Sequence, residues 1–212
     1  MADVILYGYP QSNYVRAARM ACVEKGVPYT LEPVRPHSPP ILEINPFGRM
    51  PAMRHGDFTL YETSAIMRYI DDAFAGPRLT PADPHGRARM EQWMSAINAY
   101  YDNAIMRRLV LQYVFPSGPD GKPDRAIVDK AAEDVEKQIA ILDDALVPGP
   151  YLLGAEISLA DLLLCPIMAY LSQTPEGGAI LKTTKNIPRA GQMISARKSY
   201  IDTVPPPPPK RG

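Results

Sequence analysis

The chain has 212 residues, which fits one large or two modest domains with enough material to bury a real core. Its 23 basic and 23 acidic residues balance, so no overall field of one sign attracts nucleic acid or anionic lipid. Cys22 and Cys165 form no Cys-x-x-Cys pair. We therefore expect neither a disulfide framework nor a metal site, and no nucleic-acid partner.

Two compositional features bear on location and on the C-terminal end. The first residues lack the basic and long apolar stretches of a secretory signal, and no run reaches eighteen uninterrupted apolar residues. We therefore expect a cytoplasmic protein that does not bind membranes. Proline is abundant, with 24 residues, and five of them form the run Pro205 to Pro209. This run predicts an extended, disordered or packed-down tail, with an SH3-type ligand as the alternative.

The first part of the chain alternates strand and helix signals. Residues 4–7 form a short apolar, β-prone run, and from Tyr14 to Lys25 the apolar positions fall on one helical face, with Gly26 at the expected C-cap. Residues 29–34 predict a second strand, parallel to the first. Residues 35–40 contain three prolines and predict a loop.

The next segment predicts an antiparallel hairpin followed by a helix. Residues 52–54 and 58–61 are the β-prone runs, joined by a tight turn at Gly56. Thr63 and Ser64 predict the N-cap of a helix that ends at Gly76. Residues 1–77 are thus expected to form one α/β domain of β-α-β and β-β-α units.

The remainder of the chain is predicted to be all-helical. The proline-rich stretch 77–86 resembles a linker, and the expected second domain spans 87–212 and includes the proline-rich tail. Long amphipathic helices are predicted for 87–114 and around 128–146. Ser158 and Asp161 form a Ser-x-x-Asp capping signature at the start of a buried helix.

Three short segments contain residues that could bind a ligand or take part in a reaction. Ser12 lies in the turn between the first strand and the first helix, where the helix N-terminus favours an anion and a hydroxyl can donate to a thiolate. Pro51 follows a glycine-containing loop, where a cis bond would turn the Met50 backbone outward to pair with an extended peptide. Glu62 and Thr63 precede a helix and could bind an ammonium group and a carboxylate.

Each of these segments also has a structural explanation. Ser12 could only cap its helix, and Pro51 could simply begin a strand. Thr63 could serve as an ordinary cap, with Glu62 complementing the helix dipole. Read singly, the residues leave both explanations open.

The motifs LYGYPQSNYVRAARMACVEKGVPY, NPFGRMPAM, LYETSAIMRYI and LGAEISLADLLL, at their mutual spacings, resemble a cytosolic glutathione S-transferase over nearly the whole chain. The resemblance is to a bacterial-type enzyme of the serine-type classes, with plant-like features. It implies a thioredoxin-like N-terminal domain, an all-helical C-terminal domain, glutathione as co-substrate and a homodimer. It also implies that the Met50-Pro51 bond is cis.

The resemblance assigns roles residue by residue. Ser12 occupies the place of the catalytic serine, with Asn13 as an assisting amide donor, while Tyr7 and Tyr9 flank the place of a catalytic tyrosine without matching it. The positions implied to bind glutathione are His37, Arg49, Met50, Pro51, Glu62 and Thr63. The loop before Asn45 departs in length from that of the plant-like enzymes, and Thr63 and Arg49 replace residues that are more usual there.

The second substrate is expected to be a small, mainly apolar electrophile bound between the domains. Its candidate contacts are Tyr9, Tyr101, Leu111 and Phe115. The structural alternative is that these side chains belong to the core. The expected reaction is attack by the glutathione thiolate on this acceptor, in a detoxification role. The alternatives are a glutathione-dependent reductase, peroxidase or isomerase on the same fold, and a binding protein without turnover.

Overall fold

The structure is a computed structural model, and it describes residues 3–207. The described chain forms two compact units, one made of residues 3–81 and 195–207 and the other of residues 82–194. The domain boundaries drawn from the sequence stay a prediction. The short C-terminal segment 195–207 clusters with the first unit in the structure, and no sequence pattern indicates this return.

The first unit contains a four-stranded mixed sheet. Its strands are β1 (Val4–Tyr7), β2 (Tyr29–Glu32), β3 (Ala52–His55) and β4 (Phe58–Tyr61), in the order β2-β1-β3-β4. The pair β1 and β2 is parallel, while β3 runs antiparallel to both β1 and β4. The predicted parallel pair and the predicted hairpin are both confirmed.

Three helices accompany the sheet: α1 (Asn13–Lys25), α2 (Pro39–Leu42) and α3 (Thr63–Ala73). Helix α1 ends at Gly26, whose φ of 74° suits a residue without a side chain. Helices α1 and α3 pack against each other, and a core of buried apolar residues such as Leu6, Cys22 and Ile66 joins them to the sheet. This core holds the loops at the strand ends in fixed positions.

Two local predictions in this unit were wrong. The loop expected over 35–40 gives way at Pro39 to α2, because proline is well tolerated in the first helical turn. Thr63 does not cap α3. Glu62 occupies the N-cap position with a φ of 69°, its side chain makes no capping bond, and Thr63 is the first helical residue.

The second unit is built from helices. They are α4 (Pro84–Ala96), a π-helix (Ile97–Val110), α5 (Leu111–Val114), a 3-10 turn (Pro119–Gly121), α6 (Arg125–Ala145), α7 (Leu159–Leu171), α8 (Pro175–Leu181) and α9 (Ile187–Ser195). The single helix predicted for 87–114 is thus divided, with a long π-helix in its middle. At the start of α7, Asp161 accepts bonds from the amide and hydroxyl of Ser158, 2.9 and 2.7 Å away, which confirms the capping signature.

The segment after α9 contains α10 (Lys198–Asp202) and then an irregular stretch that includes Pro205. The side-chain amide of Gln11 donates to the Pro206 carbonyl at 3.1 Å. The rest of the predicted polyproline tail, from residue 208, lies outside the described residues. Among the helices of residues 3–207, none has both the length and the apolar character that a membrane crossing requires.

Candidate functional site

The sheet register brings four loops to one end of the first unit. Tyr7, the last residue of β1, is paired with Glu32 at the end of β2 and with Ala52 at the start of β3. Ala52 is in turn paired with Tyr61 at the end of β4. The segments that follow Tyr7, Glu32 and Tyr61 and the segment that precedes Ala52 therefore emerge side by side. All the predicted glutathione-contacting positions lie on these segments.

Ser12 stands at the N-cap of α1 with extended backbone angles. The amide of Val15 donates to Ser12 Oγ at 3.3 Å, so the predicted capping role exists. A hydroxyl that accepts one bond still has its own hydrogen to donate, and within residues 3–207 the Ser12 hydroxyl has no acceptor for it. The side chain is half-buried. Capping and donation to a ligand are therefore compatible in the same residue.

The Met50-Pro51 peptide bond is cis, as the resemblance implies. Pro51 is buried and Met50 is half-buried, with its side chain packed against the small cluster of Ile41, Ile44 and Ala52. The amide of Tyr9 donates to Met50 Sδ at 3.2 Å. The loop before β3 is thereby bonded to the loop that carries Ser12.

Asn45 shapes the loop that leads to Met50, a role that the sequence interpretation missed. Its side-chain amide is almost fully buried and donates to the Arg49 carbonyl at 2.8 Å, while its side-chain oxygen accepts from the Phe47 amide at 3.0 Å. The Gly48 amide donates to the Asn45 carbonyl at 2.9 Å. The Asn-Pro pair was the available signal, because asparagine readily bonds to its own backbone two residues on.

Glu62 and Thr63 form the junction between β4 and α3. Glu62 is exposed and has a left-handed backbone conformation, while its carbonyl accepts from the Ile66 amide at 2.9 Å. Because the Glu62 carboxylate does not cap the helix, it is not occupied by that task. Thr63 is buried at the first position of α3.

His37 and Arg49 are exposed residues of the same end of the sheet. The His37 amide donates to the Gly48 carbonyl at 2.8 Å, and His37 has a φ of 59°. The imidazole lies directly against Gly48, where a β-carbon would sit 2.1 Å from His37 Nδ1. This contact links the loop after β2 to the loop before β3.

The remaining candidates are distributed over both units. Asn13 is buried at the start of α1, and Tyr9 is half-buried in the loop before it. Tyr101 is buried in the π-helix, its hydroxyl donates to the Gln138 carbonyl at 3.0 Å, and burial raises its pKa to about 12. Leu111 is half-buried and Phe115 is exposed. Their roles toward an acceptor stay predictions.

Both cysteines, Cys22 and Cys165, are buried and neither forms a disulfide. Burial raises the pKa of the Cys22 thiol to about 12, so it is protonated at neutral pH. A sulfur nucleophile at the end of the sheet must therefore come from a ligand.

The first unit thus presents a βαβ-ββα fold with a cis-proline loop, a helix N-terminus and an unengaged carboxylate at one end of the sheet. These features define a protein with a thioredoxin-like domain. The family models of the glutathione S-transferase N-terminal domain and C-terminal domain match residues 6–78 and 101–189.

Whole-chain comparisons agree with the family models. Glutathione S-transferase 3 of Zea mays is 33% identical over 221 residues, covering 98% of each chain. The crystal structure of poplar glutathione transferase F1 superposes with a TM-score of 0.86 at 30% identity, covering 96% of this chain and 97% of that one. A theta class glutathione S-transferase of Xanthomonas axonopodis pv. citri, solved with glutathione bound, gives a TM-score of 0.78 at 26% identity, with 96% and 98% covered.

The chain therefore belongs to the glutathione S-transferase family, whose co-substrate is glutathione.

Proposed function

We propose that the chain is a serine-type glutathione transferase in which Ser12 stabilises the glutathione thiolate for attack on an electrophilic carbon of an apolar acceptor. One observation carries this proposal. The hydroxyl of Ser12 has a hydrogen to donate at the end of the sheet where the Met50 backbone and the Glu62 carboxylate also emerge. A peptide thiol bound along that edge meets a hydroxyl donor, a strand-like backbone and a carboxylate in turn.

The chemistry of Ser12 follows from the bond that its oxygen accepts and the bond that its hydrogen can donate. The Val15 amide donates to the hydroxyl oxygen at 3.3 Å, which polarises the hydroxyl and makes it a better donor. Donation to the sulfur, together with the N-terminus of α1, stabilises the thiolate over the thiol and lowers the thiol pKa. Lowering a pKa of about 8.5 by about two units raises the thiolate fraction at neutral pH by tens-fold.

Glutathione binding is assigned to the same four segments. The Met50 backbone, which precedes the cis bond to Pro51, pairs with the cysteinyl part of the tripeptide. The Glu62 carboxylate binds the γ-glutamyl ammonium, and Thr63 with the first turn of α3 binds the adjoining carboxylate. His37 and Arg49, both exposed beside this loop, provide cationic or donor groups for the glycyl carboxylate.

In the reaction, the thiolate sulfur forms a bond to the acceptor carbon. In a substitution the leaving group departs with its electron pair, and in an addition the carbon skeleton takes a proton from water. Tyr9, Tyr101, Leu111 and Phe115 are the proposed acceptor contacts. Since Tyr101 already donates its hydroxyl hydrogen to the Gln138 carbonyl, its hydroxyl oxygen and its ring are what it can offer to such a contact.

The structure argues against a reductase that uses its own thiol. Cys22 is fully buried and protonated at neutral pH, so it forms no mixed disulfide with a substrate. A glutathione-dependent reductase, peroxidase or isomerase would begin from the same glutathione thiolate. Activity toward a panel of electrophiles, peroxides and mixed disulfides distinguishes these reactions.

The experiment that tests the proposal compares Ser12→Ala, Ser12→Thr and Thr174→Ala. Thiolate absorbance of bound glutathione is titrated against pH, and kcat and KM are measured with an electrophile. Ser12→Ala is expected to lose the thiolate signal at neutral pH and to lower kcat/KM by tens-fold. Ser12→Thr keeps a hydroxyl and is expected to retain most of both.

Thr174→Ala is the matched control because Thr174 also accepts a capping bond, from the Gly177 amide at 3.1 Å, at the start of α8. Thr174→Ala loses this cap and the bond that the Thr174 hydroxyl donates to the Leu171 carbonyl, at about 1–3 kcal/mol in all, without touching the proposed site. An unchanged thiolate titration in Ser12→Ala excludes Ser12 as the activating residue. A titration lost equally in Thr174→Ala means that stability, not donation, is responsible.

We also infer that the enzyme acts in the cytoplasm as a homodimer with one site per chain, as the resemblance implies. Two exposed aromatic side chains of the first unit, Phe47 and Phe58, offer apolar surface for such an association. The measurement is light scattering of the purified protein over a range of concentrations. A mass of one chain at micromolar concentration contradicts the inference.

A further inference from the structure

The side chain of Met50 reaches from the cis-proline loop to the loop that carries Ser12. Its sulfur accepts a hydrogen bond from the Tyr9 amide, with 3.2 Å between the nitrogen and Sδ. Tyr9 and Met50 are 41 positions apart in sequence, so this bond joins two separate segments. Methionine suits such a place because its thioether is polarizable and its side chain adapts to irregular space.

Gly8 makes the close approach of Met50 possible. A β-carbon on Gly8 would lie 2.9 Å from Met50 Cβ and 3.2 Å from Met50 Sδ. Gly8 also has a φ of 141°, which side chains rarely adopt. The side chains of Met50 and Val15 thus occupy the room that a side chain on Gly8 would need, with Val15 Cγ2 nearest at 2.6 Å.

Tyr9 connects this contact to Ser12. The Tyr9 amide is held by Met50, and the Tyr9 carbonyl accepts from the Ser12 amide at 3.1 Å. On the other side, the Gly8 amide donates to the Glu32 carbonyl at 2.9 Å. The backbone of this segment is therefore bonded at Gly8, Tyr9 and Ser12, and the bond of the Tyr9 amide is made to a side chain.

We infer that Met50 is a positioning residue that sets the Ser12 hydroxyl against the sulfur of bound glutathione. The inference rests on the proposed function, in which the Met50 backbone pairs with the cysteinyl part of glutathione and Ser12 stabilises its thiolate. Met50 then holds both reacting partners: its main chain orients the thiol, and its sulfur orients the loop with the hydroxyl. The strength of a hydrogen bond to a thiolate depends steeply on distance and angle. Because Met50 sets both for the bond from Ser12, it helps to lower the pKa of the bound thiol.

Met50→Leu tests the inference because leucine keeps the apolar volume and removes the sulfur acceptor. A thioether is a weak acceptor, so the expected effect is moderate. The pKa of the bound glutathione thiol rises, and kcat at saturating glutathione falls about three- to tenfold. The KM for glutathione changes less, because the backbone of residue 50 still pairs with the tripeptide.

Met53→Leu is the matched control. Met53 is a fully buried methionine of β3, three residues further along, and belongs to the core rather than to the site. It is expected to leave the thiol pKa and kcat as they are. Hydrogen exchange gives a second readout. In the unmodified protein the Tyr9 amide is expected to exchange slowly, as the Gly8 amide does, and this part of the test needs no variant. In Met50→Leu only the Tyr9 amide is expected to exchange fast.

The outcomes are distinct. If the unmodified protein shows no depressed thiol pKa, or if Ser12→Ala keeps it, the proposed function fails. If Ser12→Ala abolishes the thiolate, while Met50→Leu leaves the thiol pKa unchanged and kcat within about twofold, the proposed function stands and only the positioning role of Met50 is wrong. Fast exchange of the Tyr9 amide in the unmodified protein also overturns that role, even if Met50→Leu fails to fold.

Discussion

Lys25 Nζ lies 2.9 Å from Asp71 Oδ1, and both side chains are almost completely buried. Asp71 Oδ1 also accepts from the Leu79 amide at 3.0 Å, and Lys25 Nζ donates to the Pro77 carbonyl at 3.2 Å. One ion pair therefore ties the last residue of α1 to α3 and to the chain that leaves the first unit. Within that unit it fixes the helix pair that supports the sheet.

Removing one member of this pair is expected to destabilise the first unit strongly. Lys25→Met leaves the Asp71 carboxylate buried without its cation, at a loss of about 3–5 kcal/mol in the free energy of unfolding. The double variant Lys25→Met with Asp71→Leu removes both charges and is expected to lose less. Urea unfolding followed by circular dichroism measures the difference. A single variant as stable as the double one contradicts the expectation.

The same pair predicts a dependence of stability on pH. Burial alone raises the pKa of Asp71, but the hydrogen bonds from Lys25 and the Leu79 amide outweigh it and hold the pKa below its ordinary value. The unfolded chain then binds the proton more readily than the folded one. The stabilisation is fully present above the unfolded pKa of about 3.9 and is lost as the pH falls further.

Urea midpoints measured from about pH 6 downward check this pH dependence, since the linkage is largest near the carboxyl pKa. The unmodified protein is expected to lose stability more steeply in acid than the double variant without the pair. Equal slopes for the two proteins would show that Asp71 contributes nothing to the acid sensitivity.

The strand and helix pattern of the first unit could be predicted from the sequence because its signals are local. Alternating apolar runs, Gly26 and the turn at Gly56 fix the strands and the first helix, and the paired ends of the strands then bring Ser12, Met50 and Glu62 together. What the residues alone left open was whether Ser12 caps or donates. The capping bond from the Val15 amide leaves the hydroxyl hydrogen available, so the two roles were never exclusive.

The π-helix could not be predicted because apolar periodicity barely distinguishes it from an α-helix. Its mark is a set of side-chain pairs five positions apart. Arg107 bonds to Asp102 at 2.8 Å and Arg108 to Asn103 at 3.1 Å, the spacing expected where the backbone bonds run from i to i+5. The bond between the Tyr9 amide and the Met50 sulfur could not be predicted from the sequence either, since no local pattern relates residues so far apart in sequence.

Arg16 is expected to hold the C-terminal segment on α1. It is buried, it donates to Thr203 Oγ1 at 3.4 Å and to the Tyr200 carbonyl at 3.2 Å, and its guanidinium lies 4.4 Å from the centre of the Tyr200 ring. Arg16→Met keeps the apolar stem and removes the donors. The expected loss is about 2–3 kcal/mol, with faster hydrogen exchange over residues 198–203.

Arg78→Met is the control for Arg16→Met. Arg78 is exposed, and its ion pair with Asp72 is long, with 3.9 Å between the charged atoms. An exposed pair of this kind contributes little, so neither stability nor exchange should change. Protection of residues 198–203 that survives in Arg16→Met would mean that the other bonds from α1 are sufficient to hold the segment. These are the bonds of Glu24 to Arg197 and of Arg19 to the Thr203 carbonyl.

Gly48→Ala is expected to displace His37 and to weaken glutathione binding. The added β-carbon would lie 2.1 Å from His37 Nδ1, and Gly48 has a φ of 65°. The backbone conformation alone makes alanine unfavourable by about 1 kcal/mol, and the contact adds to this. Gly26→Ala separates the two effects, because Gly26 has a φ of 74° with nothing within 4 Å of the added carbon.

Both glycine variants should therefore lose stability, but only Gly48→Ala should raise the KM for glutathione. Adding His37→Gly to Gly48→Ala removes the imidazole from the contact and is expected to recover the stability that the contact takes away. It should not recover the KM, because the group assigned to the glycyl carboxylate is gone. Calorimetric unfolding and steady-state kinetics of the three variants and the unmodified protein measure the two quantities separately. A KM raised equally by Gly26→Ala would attribute the effect to general loosening of the unit, since that variant leaves the contact between His37 and Gly48 intact.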